Sequence, residues 1–231
     1  MCIRDSSVIY QNFKQPEILF YDEDEGASVS VLRAPGPSGR SLMVNGLTAA
    51  VLNPADLQWG ASSDVALLSH PDPKTVFVAG TGSGKTSGVA SLYGVDEIDS
   101  VEISRAAIDA LPHFDALTYG LSTNEAVNVI HGDARHFLRT TEKVYDIILP
   151  DVFISALTGT SYLYNKEFFQ LCAKHLAPGG RLVLNVYLET PVDRAIAQGV
   201  LSAVPYVDYI RLPYQNLSYL VASNSPIEYP E

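Results

Sequence analysis

Residues 75–92 read Thr-Val-Phe-Val-Ala-Gly-Thr-Gly-Ser-Gly-Lys-Thr-Ser-Gly-Val-Ala-Ser-Leu. A β-branched and aromatic run stops at three alternating glycines and gives way to small residues, the pattern of a strand, a tight loop and a helix. A chain leaving a strand this way must cover the sheet with its helix and return to lay down a parallel strand. The rhythm recurs. Strand Ile98–Glu102 precedes helix Ser104–Leu111, strand Val127–Ile130 precedes helix Ala134–Arg139, and strand Asp146–Leu149 follows. Helix Lys166–His175, closed by Ala177-Pro178-Gly179-Gly180, leads to strand Leu182–Val186 and helix Val192–Leu201. The final runs, Tyr206–Leu212 and Ser218–Ser223, are joined by too few residues for a crossover helix and must pair antiparallel. The expected class is α/β, a Rossmann-like, methyltransferase-type doubly wound sheet.

Upstream the pattern is different. Ile18–Tyr21, Ser28–Leu32 and Ser41–Gly46, separated by Asp22-Glu23-Asp24-Glu25-Gly26 and Pro35-Gly36-Pro37-Ser38-Gly39, read as a small antiparallel β-meander. The acidic run is expected to be a solvated hairpin tip, because adjacent carboxylates on one turn cannot all converge on an ion. A helix is expected over Ala55–Ser69, ended by Pro71-Asp72-Pro73. The expected organisation is a non-native or disordered leader at 1–7, a β-strand domain at 8–53 and a Rossmann-like nucleoside-binding domain at 54–231.

Charge and composition narrow the function. Fifteen Lys and Arg against 26 Asp and Glu leave a formal net charge of −11, which disfavours a nucleic-acid partner and suits a small cationic substrate. Cys2 and Cys172 have no CxxC spacing, so a reducing, cytoplasmic setting is expected, with Cys172 in the core. His70, His113, His131, His136 and His175 lack metal-ligand spacing, and no metal is expected. Apolar runs end well short of the ~20 residues that span a bilayer, so no membrane partner is expected.

The glycine loop admits two chemistries. Ala79 followed after four residues by Gly84-Lys85-Thr86 has P-loop spacing with Ala in place of the first Gly; Lys85 would then hold phosphate, Thr86 a magnesium ion and Asp151 the second metal contact. Gly80, Gly82 and Gly84 equally form the loop over which an adenosyl ligand lies. That second reading wants an acid at the end of the next strand to accept the ribose hydroxyls, and Glu102 lies eighteen residues beyond Gly84. It also wants a small polar turn for the adenine edge, supplied by Gly132-Asp133-Ala134. The P-loop reading leaves Glu102 and Asp133 without a role, so the residues favour the adenosyl ligand. Tight strand-helix packing alone would also account for glycines.

These residues resemble the spermidine synthase family of polyamine aminopropyltransferases, in particular the spermidine-synthase-like group related to domains fused to membrane transporters. The resemblance runs from about Ile18 to about Ser223. It is carried by Ile18–Tyr21 with Ala27–Val31 and Leu42–Gly46, by His70–Lys74, Val101–Ile103, Gly132–Arg135 and Tyr145–Ile148, and by Leu163–Phe169 and Leu176–Gly180. It implies transfer of an aminopropyl group from decarboxylated S-adenosylmethionine to a polyamine amine, in a cytoplasmic enzyme that commonly pairs as a homodimer. The glycine loop and Glu102 would hold the nucleoside, Asp133 and Ala134 would recognise adenine, and Asp151 would take the proton of the attacking amine, with Tyr164 lining the same cleft. Asp151 as a helix cap and Tyr164 as a core residue are the plainer alternatives.

Departures from the family pattern fall mainly on the polyamine side. After Asp151 the chain continues Val152-Phe153-Ile154-Ser155 where a second acid is usual, and Asp56, Trp59 and Asp64 are only near the usual acceptor positions. Lys85 replaces a small or apolar residue and is a candidate partner for the carboxylate of intact S-adenosylmethionine. S-adenosylmethionine-dependent methyl transfer and a non-catalytic binding module are therefore the alternatives. Tyr206, Tyr209, Tyr214 and Tyr219 are candidates for a dimer face.

Overall fold

Asn45 and Gly46 both sit in the left-handed region, at φ 51° and 77°, a two-residue turn whose twist matches that of paired strands. They close a hairpin between β3 (Arg40–Val44) and β4 (Leu47–Leu52), which continues the meander begun by β1 (Ile18–Glu23) and β2 (Ser28–Arg33). The single strand expected over Ser41–Gly46 is therefore a strand plus a turn, and a fourth strand follows it. These positions come from a computed structural model that describes residues 17–34, 39–53, 60–152, 160–186, 191–213 and 217–230. Only the part of the expected Ala55–Ser69 helix from Gly60 onward lies among them, with Asp56, Trp59 and Tyr214 outside.

Downstream, β5 (Thr75–Ala79), β6 (Glu97–Glu102), β7 (Val127–His131), β8 (Tyr145–Pro150), β9 (Leu176–Asn185), β10 (Tyr206–Leu212) and β11 (Leu217–Ser223) form one sheet in the order β10-β11-β9-β8-β5-β6-β7. The five strands from β7 to β9 are parallel, and β11 pairs antiparallel with both β9 and β10, as the short final connection requires. Strand alternation divides the core. Phe77, Ala79 and Ile148 face a layer built by Leu138, Phe168, Phe169, Cys172, Ile196 and Val200, whereas Val76, Val78, Ile147 and Leu149 face Ala61, Val65, Leu67 and Ala90. The first layer belongs to α4 (Ala134–Thr140), α5 (Lys166–Lys174) and α6 (Pro191–Leu201); the second belongs to α1 (Ala61–Leu68) and α2 (Lys85–Ala90). Each fully buried Val, Leu or Phe contributes about 1.5–3 kcal/mol.

Two local expectations need correction. Ala177–Gly180 does not close a helix; it is already strand, because β9 begins at Leu176 and its pairing with β8 shifts register between Tyr145 and Ile147. Tyr219 does not belong to a dimer face: it is 1% exposed in the core layer with Val76 and Val78, whereas Tyr206 and Tyr209 lie exposed on the outer strand.

The acidic turn between β1 and β2 also departs from expectation. One oxygen of Asp24 accepts from the amides of Gly26 and Ala27 at 2.8 and 2.9 Å, and the other accepts from the Ser104 hydroxyl and the Ala106 amide at 2.6 and 3.1 Å. Asp24 thus helps cap α3 (Arg105–Ala110), against which Val29, Val31 and Leu42 of the small sheet pack. Partial burial works against its charge, yet these donors outweigh that and lower its pKa to about 2. A residue expected at a solvated tip ties the small sheet to the large one.

Candidate active site

The chain runs from β5 outward through β6 and β7, then returns to lay β8 against the other side of β5. Connections diverge above the carboxyl ends of β5 and β8, which is where open α/β sheets form a crevice. The glycine loop leaves β5 there, and Asp151 leaves β8 beside it.

Backbone bonds fix the two exits together: Asp151 donates its amide to Ala79 at 2.8 Å, and Gly80 donates to Val101 at 2.9 Å. Gly80 adopts φ 94°, and a Cβ there would meet the Val152 side chain at 2.6 Å and the Asp151 carbonyl at 3.0 Å, so no larger residue lets the loop pass so close. Behind the loop, the buried hydroxyls of Thr81, Ser100 and Ser87 form a chain with both separations 2.8 Å.

Glu102, at the end of β6, is almost fully buried. Its Oε2 accepts from the Thr81 and Gly82 amides, both at 3.0 Å, and its Oε1 accepts from the Ser104 amide at 3.0 Å. The carboxylate therefore shapes the glycine loop from below. Three of its roughly four acceptor positions are taken, leaving one on Oε1 for a further donor. Asp133, at the end of the β7 turn, caps α4 by accepting from the His136 amide at 2.7 Å, and no donor among the described residues reaches its other oxygen. Ala134 is buried behind it.

Asp151 is reached by solvent but crowded by the cleft walls, and this loss of hydration raises its pKa above the ordinary carboxylate value; a hydrogen bond from the Thr86 hydroxyl to Oδ2 opposes the rise. Its Oδ1 has no donor among the described residues. Tyr164 turns its hydroxyl to the next residue, donating to the Val152 carbonyl at 2.7 Å and accepting from the Val152 amide at 3.2 Å. Burial, with the nearby Asp151 charge, raises the Tyr164 phenol above its usual range. In this arrangement Tyr164 braces the Asp151 segment.

Lys85 behaves as no P-loop lysine does. Its ammonium donates to the Leu117 carbonyl at 2.9 Å and the Tyr119 hydroxyl at 3.2 Å and lies 4.4 Å from the Tyr119 ring centroid, on a buried side chain. Its partners hold it away from the loop's inner surface, which removes the phosphate contact on which the nucleotide reading depends. Asp64 is likewise engaged elsewhere, accepting from the Tyr93 hydroxyl at 2.7 Å. The sequence offers Thr86 only as a magnesium ligand, and its contact with Asp151 depends on packing between residues 65 positions apart. Among the described residues no three His, Cys, Asp or Glu side chains are grouped to hold a metal ion, and no helix is long and apolar enough to cross a membrane.

A doubly wound sheet with a glycine loop, an acid below it and a second acid across the switch point is an α/β fold of the Rossmann-like, methyltransferase type. Residues 62–209 match the spermine/spermidine synthase domain, and the chain belongs to that family. It is 34% identical to the polyamine aminopropyltransferase of Clostridium beijerinckii over 120 residues, covering 52% of this chain and 42% of that protein. It is 29% identical to the polyamine aminopropyltransferase of Streptococcus uberis over 171 residues, covering 72% of this chain and 58% of that protein. The chain thus spans about half the length of the curated relatives it matches. The spermidine synthase of Thermotoga maritima shares the fold, with a TM-score of 0.76 at 17% identity over 91% of this chain and 74% of that one. A spermidine synthase in complex with the transition-state analogue AdoDATO gives a TM-score of 0.78 at 16% identity, over the same shares of the two chains.

Proposed function

We propose that the chain transfers an aminopropyl group from decarboxylated S-adenosylmethionine to an amine of a polyamine. The observation that carries this reading is Asp151: an exposed residue at the switch point, with one carboxylate oxygen held by Thr86, the other without a donor among the described residues, and a raised proton affinity. A polyamine arrives as an alkylammonium, which has no lone pair to donate. Oδ1 of Asp151 binds that cation and takes its proton, and the freed amine attacks the carbon next to the sulfonium. A C–N bond forms as the C–S bond breaks, and the sulfur leaves with the bonding pair as a neutral thioether. Raised proton affinity makes Asp151 a better proton acceptor than an ordinary carboxylate.

The nucleoside half of the donor lies over the loop of Gly80, Gly82 and Gly84 in this reading. The open position on Glu102 Oε1 accepts from a ribose hydroxyl, while the free oxygen of Asp133 and the wall at Ala134 face the adenine. The acidic surface, at a formal net charge of −11, favours approach of the cationic acceptor.

Methyl transfer from intact S-adenosylmethionine would need a partner for the extra carboxylate. Lys85, the sequence candidate for it, is committed to Leu117 and Tyr119, which favours the decarboxylated donor. Incubation with decarboxylated S-adenosylmethionine and putrescine is the direct test: the expected outcome is an aminopropylated product, and absence of both product and nucleoside binding would sink the reading. Equal turnover with S-adenosylmethionine to a methylated product would transfer the case to the alternative.

A further inference from the structure

We propose that Thr86 is a positioning residue for Asp151: its hydroxyl takes one carboxylate oxygen and thereby makes the other the oxygen that receives the substrate proton. The inference rests on the aminopropyl-transfer reading of this site. Thr86 stands in the first turn of α2, 3% exposed, and donates its hydroxyl to Oδ2 of Asp151. Its own placement is fixed from α1, where the buried Ser63 hydroxyl donates to the Thr86 carbonyl at 2.7 Å. The main chain of the same segment is held independently, by Ala79 at the Asp151 amide and by the Tyr164 hydroxyl on both polar atoms of Val152. With its backbone clamped, the remaining freedom of Asp151 is rotation of its side chain, and the Thr86 hydroxyl is the one side-chain donor that restrains it among the described residues.

A bare carboxylate in such a cleft would present either oxygen and would pair with any cation at varying angles. Proton transfer depends on heavy-atom geometry, so a side chain locked in one orientation raises the fraction of encounters that react. The hydroxyl also stabilises the ionised form, moderating the rise that burial imposes. Among the described residues the titratable group bordering Asp151 is Tyr164, whose hydroxyl is spent on Val152. Glu102 is turned to the loop amides, and Lys85 to Leu117 and Tyr119. Neither is poised to replace Thr86.

The test compares Thr86→Val, which keeps the shape and removes the donor, with Thr86→Ser, which keeps the donor. Thr86→Val is expected to lower kcat about tenfold to a hundredfold, with KM for the nucleoside within about twofold. The acid limb of its kcat/KM profile should move to higher pH by about one unit, because the ionised carboxylate loses a donor. Thr86→Ser should restore both. Carbon-13 titration of the Asp151 carboxyl, assigned with Asp151→Asn, should move in the same direction, and it reads the contact without any turnover. A wild-type profile and an unmoved titration in Thr86→Val would overturn the role, as would a loss of kcat in Thr86→Ser as large as in Thr86→Val. If the unmodified protein makes no aminopropylated product, the reaction assignment fails on that result alone, while the titration still decides whether Thr86 holds Asp151.

Discussion

The two ends of the central sheet treat their acids differently. At the amino end, Asp99 of β6 is buried at 1% exposure and held by three side chains: Oδ2 accepts from the Tyr145 hydroxyl and the Lys143 ammonium, both at 2.7 Å, and Oδ1 from the Asn128 amide at 3.0 Å. Asp146, which opens the neighbouring strand, is committed to Lys74 and Thr75 through a single oxygen. At the carboxyl end, Glu102 spends three bonds on backbone amides and keeps one position open, and among the described residues Asp151 receives a donor on one oxygen only. Burial alone does not separate these acids, since both Asp99 and Glu102 are buried on the same strand. What separates Asp99 from Glu102 and Asp151 is the kind of donor: three side chains, the Lys143 ammonium among them, hold Asp99, whereas backbone amides hold Glu102 and a single hydroxyl holds Asp151 at the edge where an α/β sheet takes its ligands.

Mutations at each end should break in different measurements. Asp151→Asn is expected to lower aminopropyl transfer by about 10²–10⁴-fold, the range of a lost general base, while urea unfolding stays within about 0.5 kcal/mol of the parent. Comparable loss of stability in that variant would place Asp151 with the amino-end acids. Asp99→Ala should do the reverse, removing about 3 kcal/mol from the unfolding free energy by stranding the buried Tyr145 hydroxyl, with nucleoside affinity unchanged in calorimetry.

Glu102→Gln lies between the two. The carboxamide nitrogen faces amide donors on whichever side it is placed, so the loop should distort and nucleoside affinity fall about tenfold to thirtyfold by calorimetry, roughly 1.5–2 kcal/mol. An affinity equal to wild type would mean that the loop holds its shape without this brace.

Asp24→Ala should cost about 1 kcal/mol, the usual worth of a helix cap, read as a fall in melting temperature. Its carboxyl is depressed in the folded protein, so the contribution is present in full above the unfolded value near 3.8 and disappears as pH drops toward about 2. Melting curves of parent and variant should therefore converge at the acid end of that window, and a constant gap would remove the ionised carboxylate from the account. The smallest effect is expected for Lys85→Met, which should leave turnover within about twofold in a steady-state assay; a large loss of turnover would return Lys85 to the ligand site.

Much of this was legible in the chain before any coordinates. The strand-glycine-helix unit at 75–92, its recurrence, and the short link before the last strand imply a mostly parallel sheet with an antiparallel edge, because covalent reach and two-faced burial allow little else. Placing Glu102, Asp133 and Asp151 at successive strand ends needed only strand counting, since every parallel strand delivers its next residue to the same edge of the sheet. The Asn45-Gly46 turn was equally local, and its signal was in the sequence although it was read as strand.

Other features depended on chain segments far apart. Lys85-Thr86 is one dipeptide, yet its two side chains leave in opposite directions, one to Leu117 and Tyr119 and the other to Asp151. Periodicity carries no information about which distant carbonyl or carboxylate will be waiting. Asp24 looked like one more charge in an acidic turn, and only docking of the small sheet on α3 set it against Ser104 and Ala106, 80 and 82 positions away. Local pattern determined the elements and the edge of the sheet where the acids gather, because backbone hydrogen bonding and side-chain alternation are short-range properties. Tertiary packing decided which donors hold each of those acids, because a hydrogen-bond donor counts by its distance in space and not by its distance along the chain.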